Sequence, residues 1–138
     1  MAGRSRTRPY NAQNAGALSL AEAQIDFAAA DARVLIASLP ANAVILDAWF
    51  EIVTAFNSGT SDELNIGYGA VGAATSDDIL DAVDGQGAAG VYPTTRAIPK
   101  VRIATAQDIY AYHKTVGTDP TAGSARAFIV YARTADNG

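Results

Sequence analysis

Asn42 to Gly69 reads NAVILDAWFEIVTAFNSGTSDELNIGYG, and this stretch decides the fold class. Val44 to Phe56 is rich in β-branched and aromatic residues, which suit a pleated, half-buried surface. Alternation puts Leu46, Ala48, Phe50 and Ile52 on one side of a strand and Asp47, Trp49 and Glu51 on the other. Asn57 to Asp62 is small, polar and turn-forming. Beyond it Leu64, Ile66 and Tyr68 alternate with Glu63, Asn65 and Gly67. Such a pair of strands buries its apolar face only when further strands or a second sheet cover it.

The rest of the chain supplies candidates. Upstream, Ala17–Phe27 and Arg33–Leu39 read as strands, separated by a bend or short helical turn at Ala28–Asp31. Pro40 blocks continuation and turns the chain into the long strand. Downstream, Ala70–Gly90 is rich in Ala, Gly and Asp. There Thr75-Ser76-Asp77-Asp78 has the composition of a helix cap, with Ile79, Leu80 and Val83 as an apolar face. This predicts a long connection with a short helical turn near 77–84. Val91–Arg96 reads as a short extended piece. Lys100–Thr105 and Asp108–Val116 read as one strand continuing through a bulge at Ala106-Gln107. The loop Gly117–Gly123 leads into a last strand, Ala125–Arg133. In it Ala127, Ile129 and Tyr131 face one way and Arg126, Phe128 and Val130 the other. Seven or eight strands with turn signals between them predict an all-β, single-domain antiparallel β-sandwich or jelly-roll-like barrel.

Residues 1–16 are different. Arg, Ser, Thr, Pro and Asn dominate, and Tyr10 is the one large apolar group, which predicts a flexible, extended N-terminal arm ahead of a body at 17–138. The arm holds Arg4, Arg6 and Arg8 and no acid. The formal net charge of −4 therefore divides into +3 for the arm and −7 for the remainder, which keeps seven of the ten bases and all fourteen acids. Three alternating arginines suit carboxylates or phosphates. An acidic body repels a polyanion, so a nucleic-acid partner is not expected. No apolar run approaches the roughly 20 residues that span a bilayer, and no apolar segment follows the arginines as in a secretion signal. The expectation is a soluble protein made in a cytoplasm, without a membrane partner.

Catalytic patterns are missing from the sequence. The single histidine, His113, excludes any site that needs two imidazoles, and no serine lies in a nucleophile elbow. There is no cysteine, hence no disulfide and no thiolate metal site. Asp77, Asp78, Asp81 and Asp84 lack the spacing and terminal glutamate of a calcium loop and read as a solvated face. Asp47 and Glu51 would stand roughly 13 Å apart along a strand, wider than the separation that glycoside hydrolysis uses. No catalytic residue, metal or cofactor is expected. Trp49 lies on the polar side of its strand between Asp47 and Glu51, so a neighbouring subunit or the 70–90 connection should cover it. Trp49, Phe128 and Val130 are the candidate subunit contacts.

The segment Leu39–Gly67, with Leu39-Pro40-Ala41, the long apolar strand, Thr54-Ala55-Phe56-Asn57-Ser58-Gly59-Thr60-Ser61, Leu64 and Ile66-Gly67, resembles a recurring piece of small virion proteins of tailed bacteriophages. With the small size and the arm, the chain is most similar to capsid decoration (cement) proteins. The resemblance implies a β-rich body on the outside of the mature shell, often a homotrimer, assembled in the host cytoplasm. It also implies an arm that anchors on the major capsid protein by adding a strand to an exposed edge. Arg4, Arg6, Arg8 and Tyr10 would be its contact residues. A tail or head-fibre component with a receptor- or glycan-binding role is the alternative, with loops 57–62 and 117–123 doing the binding.

Overall fold

The computed structural model describes residues 18–69, 79–93 and 101–133. Among them the chain is antiparallel β apart from one 3-10 turn at Phe27–Ala29. The strands are β1 (Leu18–Asp26), β2 (Arg33–Leu39), β3 (Val44–Thr54), β4 (Ser61–Gly69), β5 (Leu80–Asp84), β6 (Gly90–Pro93), β7 (Val101–Arg102), β8 (Gln107–Val116) and β9 (Ser124–Ala132). One sheet has the order β1-β9-β3-β6, with the short β7 also on β3; the other has the order β2-β8-β4-β5. The all-β sandwich expected from the sequence is the fold.

The pairs are nested. β4 pairs with β5, β3 with β6, β2 with β8 and β1 with β9, so the chain runs out through four strands and returns alongside itself. The β3–β9 and β4–β8 pairings then close each half into a sheet.

The core lies between the sheets. Ile25, Ile45, Ala48, Phe50, Ile52, Ala125, Ala127 and Ile129 come from the first sheet; Ile36, Leu39, Leu64, Ile66, Ile109 and Ala111 come from the second. The abundance of alanine has a packing reason. Phe50 stands opposite Ala127, Ala48 opposite Ile129, Ile52 opposite Ala125 and Ile66 opposite Ala111. Each large side chain sits beside a small one, which lets the two inner faces interdigitate across about 10 Å. Burying each large aliphatic or aromatic group contributes about 1.5–3 kcal/mol.

Four sequence expectations change, and bulges account for two of them. In β3 the register shifts between Ile45 and Asp47, so Ile45 faces inward and Leu46 leaves the row of Ala48, Phe50 and Ile52. In β5 the predicted helical turn near 77–84 is a strand over Leu80–Asp84. Val83 pairs with Leu64 and Leu80 with Ile66, so the four residues Leu80–Val83 oppose the three residues Leu64–Ile66. The bulge brings Leu80 and Val83, three apart, onto the same inner side, and that spacing imitates a helical face. The cap residues Thr75–Asp78 lie outside the described residues. The third change concerns Lys100–Val116, which is not one bulged strand. β7 joins β3 in the first sheet while β8 belongs to the second, and the chain crosses between them at 103–106. Ile103 anchors that crossing: it is buried, donates to the Ala43 carbonyl and accepts from the Asn42 amide. The fourth change is Asp62, a buried member of β4 rather than a turn residue.

Candidate functional site

Two features stand out once the strands are placed. The first is the outward face of the β1-β9-β3-β6 sheet. Successive residues of a strand point to opposite faces, so the inward set of β9 leaves Arg126, Phe128 and Val130 outside. In register, Phe128 lies between Glu22 of β1 and Trp49 of β3, and Trp49 lies opposite Pro93 of β6. Val130 lies between Leu20 and Asp47. The Trp49 and Phe128 rings are stacked, centroids 5.2 Å apart at 14°. The three residues expected as subunit contacts are therefore neighbours on one face, half-buried. Leu18 and Leu20, exposed at 66% and 60%, extend the apolar band to the sheet edge. Charge borders it: Arg126 pairs with Glu51 at 3.6 Å, both partly exposed, and a pair of this kind adds little stability. Arg4, Arg6, Arg8 and Tyr10, expected from the resemblance as capsid contacts, lie outside the described residues.

The second feature is a buried polar knot at one end of the sandwich. Asp62 and His113 follow the inward phase of Leu64 and Ile66 in β4 and of Ile109 and Ala111 in β8, and both are fully buried as side chains. Asp62 Oδ1 meets His113 Nε2 at 2.5 Å. Its other oxygen accepts from the Ser58 amide at 2.8 Å and from Gln86 Nε2 at 2.9 Å. Burial pushes the Asp62 pKa up, but the hydrogen bonds from Ser58, Gln86 and His113 outweigh it and hold the carboxyl below its ordinary value. Gly85 donates to the Asp62 carbonyl and Phe56 donates to the Gly85 carbonyl, so Asp62, through its carboxylate and its backbone, ties the 55–60 loop, the turn after β5 and β8 together. Nearby, Asp31 accepts from the Thr115 hydroxyl and amide, and these bonds lower its pKa.

The knot is not arranged for turnover. The Ser58 hydroxyl donates to the Ser61 carbonyl rather than to His113. The imidazole packs against Phe56 with centroids 4.2 Å apart and has no exposed surface. Among the described residues no group of three or more His, Cys, Asp and Glu could hold a metal ion. An open cleft of about 430 Å³ near Ser38, Gln107 and Asp108 offers a single carboxylate, which Ser38 and Tyr110 already engage. The knot was readable from sequence only as phase: Asp62 is two residues before Leu64, and His113 two after Ala111.

The two loops at this end are zipped together. Asn57 accepts from the amides of Thr121 and Ala122 and donates to the Thr121 hydroxyl. Gly59 donates to the Thr118 carbonyl.

No protein-family model matches the sequence, and comparison with curated proteins gives no match. The fold does have counterparts among solved structures. A chain of the acidic stable capsid structure of Helicobacter pylori bacteriophage KHP30 matches with TM-score 0.63 and 13% identity, over 83% of this chain and 86% of that one. A chain of the capsid of Ralstonia phage GP4 matches with TM-score 0.59 and 21% identity, over 86% of each. A chain of the cyanophage Pam1 capsid asymmetric unit matches with TM-score 0.53 and 16% identity, over 86% of each. At these identities the likeness is one of fold.

Proposed function

We propose that this chain is a structural protein of a tailed-phage virion that binds the outside of the shell as a decoration, or cement, protein. The observation that carries the reading is the sandwich it shares, over 83–86% of its length, with chains of three phage capsid structures. We read the nested pairing of its strands as supporting a jelly-roll winding, an architecture found in viral shells. The reading assigns no chemistry to the chain, and the buried knot acts as a structural tie.

The mechanism is multivalent contact. Copies joined through the Trp49, Phe128 and Val130 band, as a homotrimer, present several weak contacts to the shell at once, and linked contacts add. Stacked aromatics on an outward face suit this role, because they bury much area with few rotors to freeze. The arm 1–16 extends the reach, with Arg4, Arg6 and Arg8 pairing carboxylates of the major capsid protein and Tyr10 packing beside them. Bridging neighbouring shell subunits opposes the outward pressure of packaged DNA. The test is occupancy on expanded shells. Removal of residues 1–16 should lower it, and undiminished occupancy would take the arm out of the mechanism. Immunogold labelling should cover the head densely.

The fibre reading, with a receptor- or glycan-binding role, has one observation in its favour: loops 57–60 and 117–123 are joined at one exposed end. It predicts label at a few spots away from the shell surface.

A further inference from the structure

β1 is the longest edge strand, nine residues against seven in β2, five in β5 and four in β6. On one side it pairs with β9 through all nine residues without a register shift. On the other it has no strand partner among the described residues. A free edge presents a row of unpaired N–H and C=O groups, and proteins usually blunt it with Pro, Lys, bulges or brevity. Leu18–Asp26, LSLAEAQID, has none of these devices. Its outward residues are Leu18, Leu20, Glu22 and Gln24, all exposed.

The sequence of this edge selects its occupant. A second β1, paired antiparallel over the full nine residues, would set Glu22 against Glu22, and like charges directly opposite are destabilising. Arg4-Ser5-Arg6-Thr7-Arg8 is complementary instead. Extended, it puts three guanidinium groups on one face and small hydroxyl residues on the other. Glu22 supplies a carboxylate on the matching face, and Leu18 and Leu20 offer apolar surface for the arginine stems. The arm carries +3 and the rest of the chain −7, which favours their encounter. Residues 9–17 connect this segment to β1. A return onto its own β1 would need a hairpin loop of that length, where about 2–5 residues are usual. Extended, the same connector reaches roughly 30 Å, enough to cross to another molecule.

We propose that residues 4–8 of one copy add as a strand to the free edge of β1 in a neighbouring copy, with Glu22 receiving the arginines. The arm then has two docking surfaces, the shell and the adjacent copy, and the second forms with no shell present. Its test is therefore separate from that of shell binding.

The chain has no cysteine, so Ala2→Cys gives a single position for a dye just ahead of the segment. The rotational freedom of the dye is followed as unlabelled full-length copies are added. Wild-type copies should capture the arm saturably, and so should Trp49→Ala copies, whose apolar face is impaired but whose edge is intact. Glu22→Arg copies should bind it about tenfold more weakly, since each reversed cross-strand contact contributes a fraction of a kcal/mol. A labelled chain with Arg4, Arg6 and Arg8 all changed to Glu should reverse the preference and choose the Glu22→Arg copies. Absence of saturable capture, equal capture by wild-type and Glu22→Arg copies, or failure of the reversed arm to switch would overturn the proposal.

Discussion

Replacing Asp62 by alanine should be among the most damaging single changes in the body, and the structure gives its size. The carboxylate accepts from His113 Nε2, the Ser58 amide and Gln86 Nε2. Gln86 is exposed and also donates to the Ser58 carbonyl, so it can turn to water. His113 and the Ser58 amide cannot, and each stranded buried donor costs about 1–3 kcal/mol. Together with the void, the loss should be about 3–5 kcal/mol, the range for breaking a buried pair from one side. Against a total stability of about 5–15 kcal/mol this is a large share. At roughly 3–4 °C per kcal/mol for a chain of this size, Tm should fall by about 9–20 °C. The control is Asp31→Ala. That carboxylate is exposed, and its loss should cost about 1 kcal/mol. Urea titrations at neutral pH measure both. Acid provides a second check. The folded Asp62 pKa is depressed below its ordinary value of 3.8, so its contribution is fully present above that value. It is lost as pH falls through the folded pKa. The gap between wild type and Asp62→Ala should therefore narrow below pH 3.8. A cost no larger than that of Asp31→Ala, or a gap unchanged in acid, would refute the account of the knot.

Other outcomes follow from the same geometry. Gly123→Ala should cost about 2–4 kcal/mol in chemical unfolding, because Gly123 has φ +136° and a Cβ there would collide with Phe56. Asn57→Ala removes three hydrogen bonds to Thr121 and Ala122, and should cost about 1–2 kcal/mol and speed proteolysis within 117–123. Phe128→Ser should lower stability by only about 1–2 kcal/mol, since the ring is half-buried and loses mainly its stacking on Trp49. It should lower self-association much more, as seen by sedimentation at matched concentrations. Unchanged association would remove this face from the proposed subunit contact.

Much of the strand content was legible because period-2 patterning is local. Ala127, Ile129 and Tyr131 on one side, with Arg126, Phe128 and Val130 on the other, needed only the pleat. The gathering of Trp49, Phe128 and Val130 followed from the same rule once β3 and β9 became neighbours, although that adjacency is a long-range fact. The errors have one physical origin in β3 and β5. A bulge shifts phase by one residue, and it forms because the partner strand's hydrogen bonds and the core require it. Nothing within Ile45–Asp47 or Leu80–Val83 announces it, so local patterning alone groups Leu46 with Ala48, Phe50 and Ile52 and gives Leu80 and Val83 a helical spacing.

The amino-acid sequence alone determined that this chain alternates, turns and alternates again, with three arginines and no acid in its first sixteen residues and an excess of acids after them. Those properties are set residue by residue through side-chain size, β-branching, turn chemistry and charge. Tertiary structure decided which strands lie side by side, where the phase slips, and that Asp62 and His113, fifty-one positions apart, share one buried bond. Such pairings depend on how the whole chain closes over its core, and a charged residue in an inward position is tolerated only where distant partners arrive to meet it.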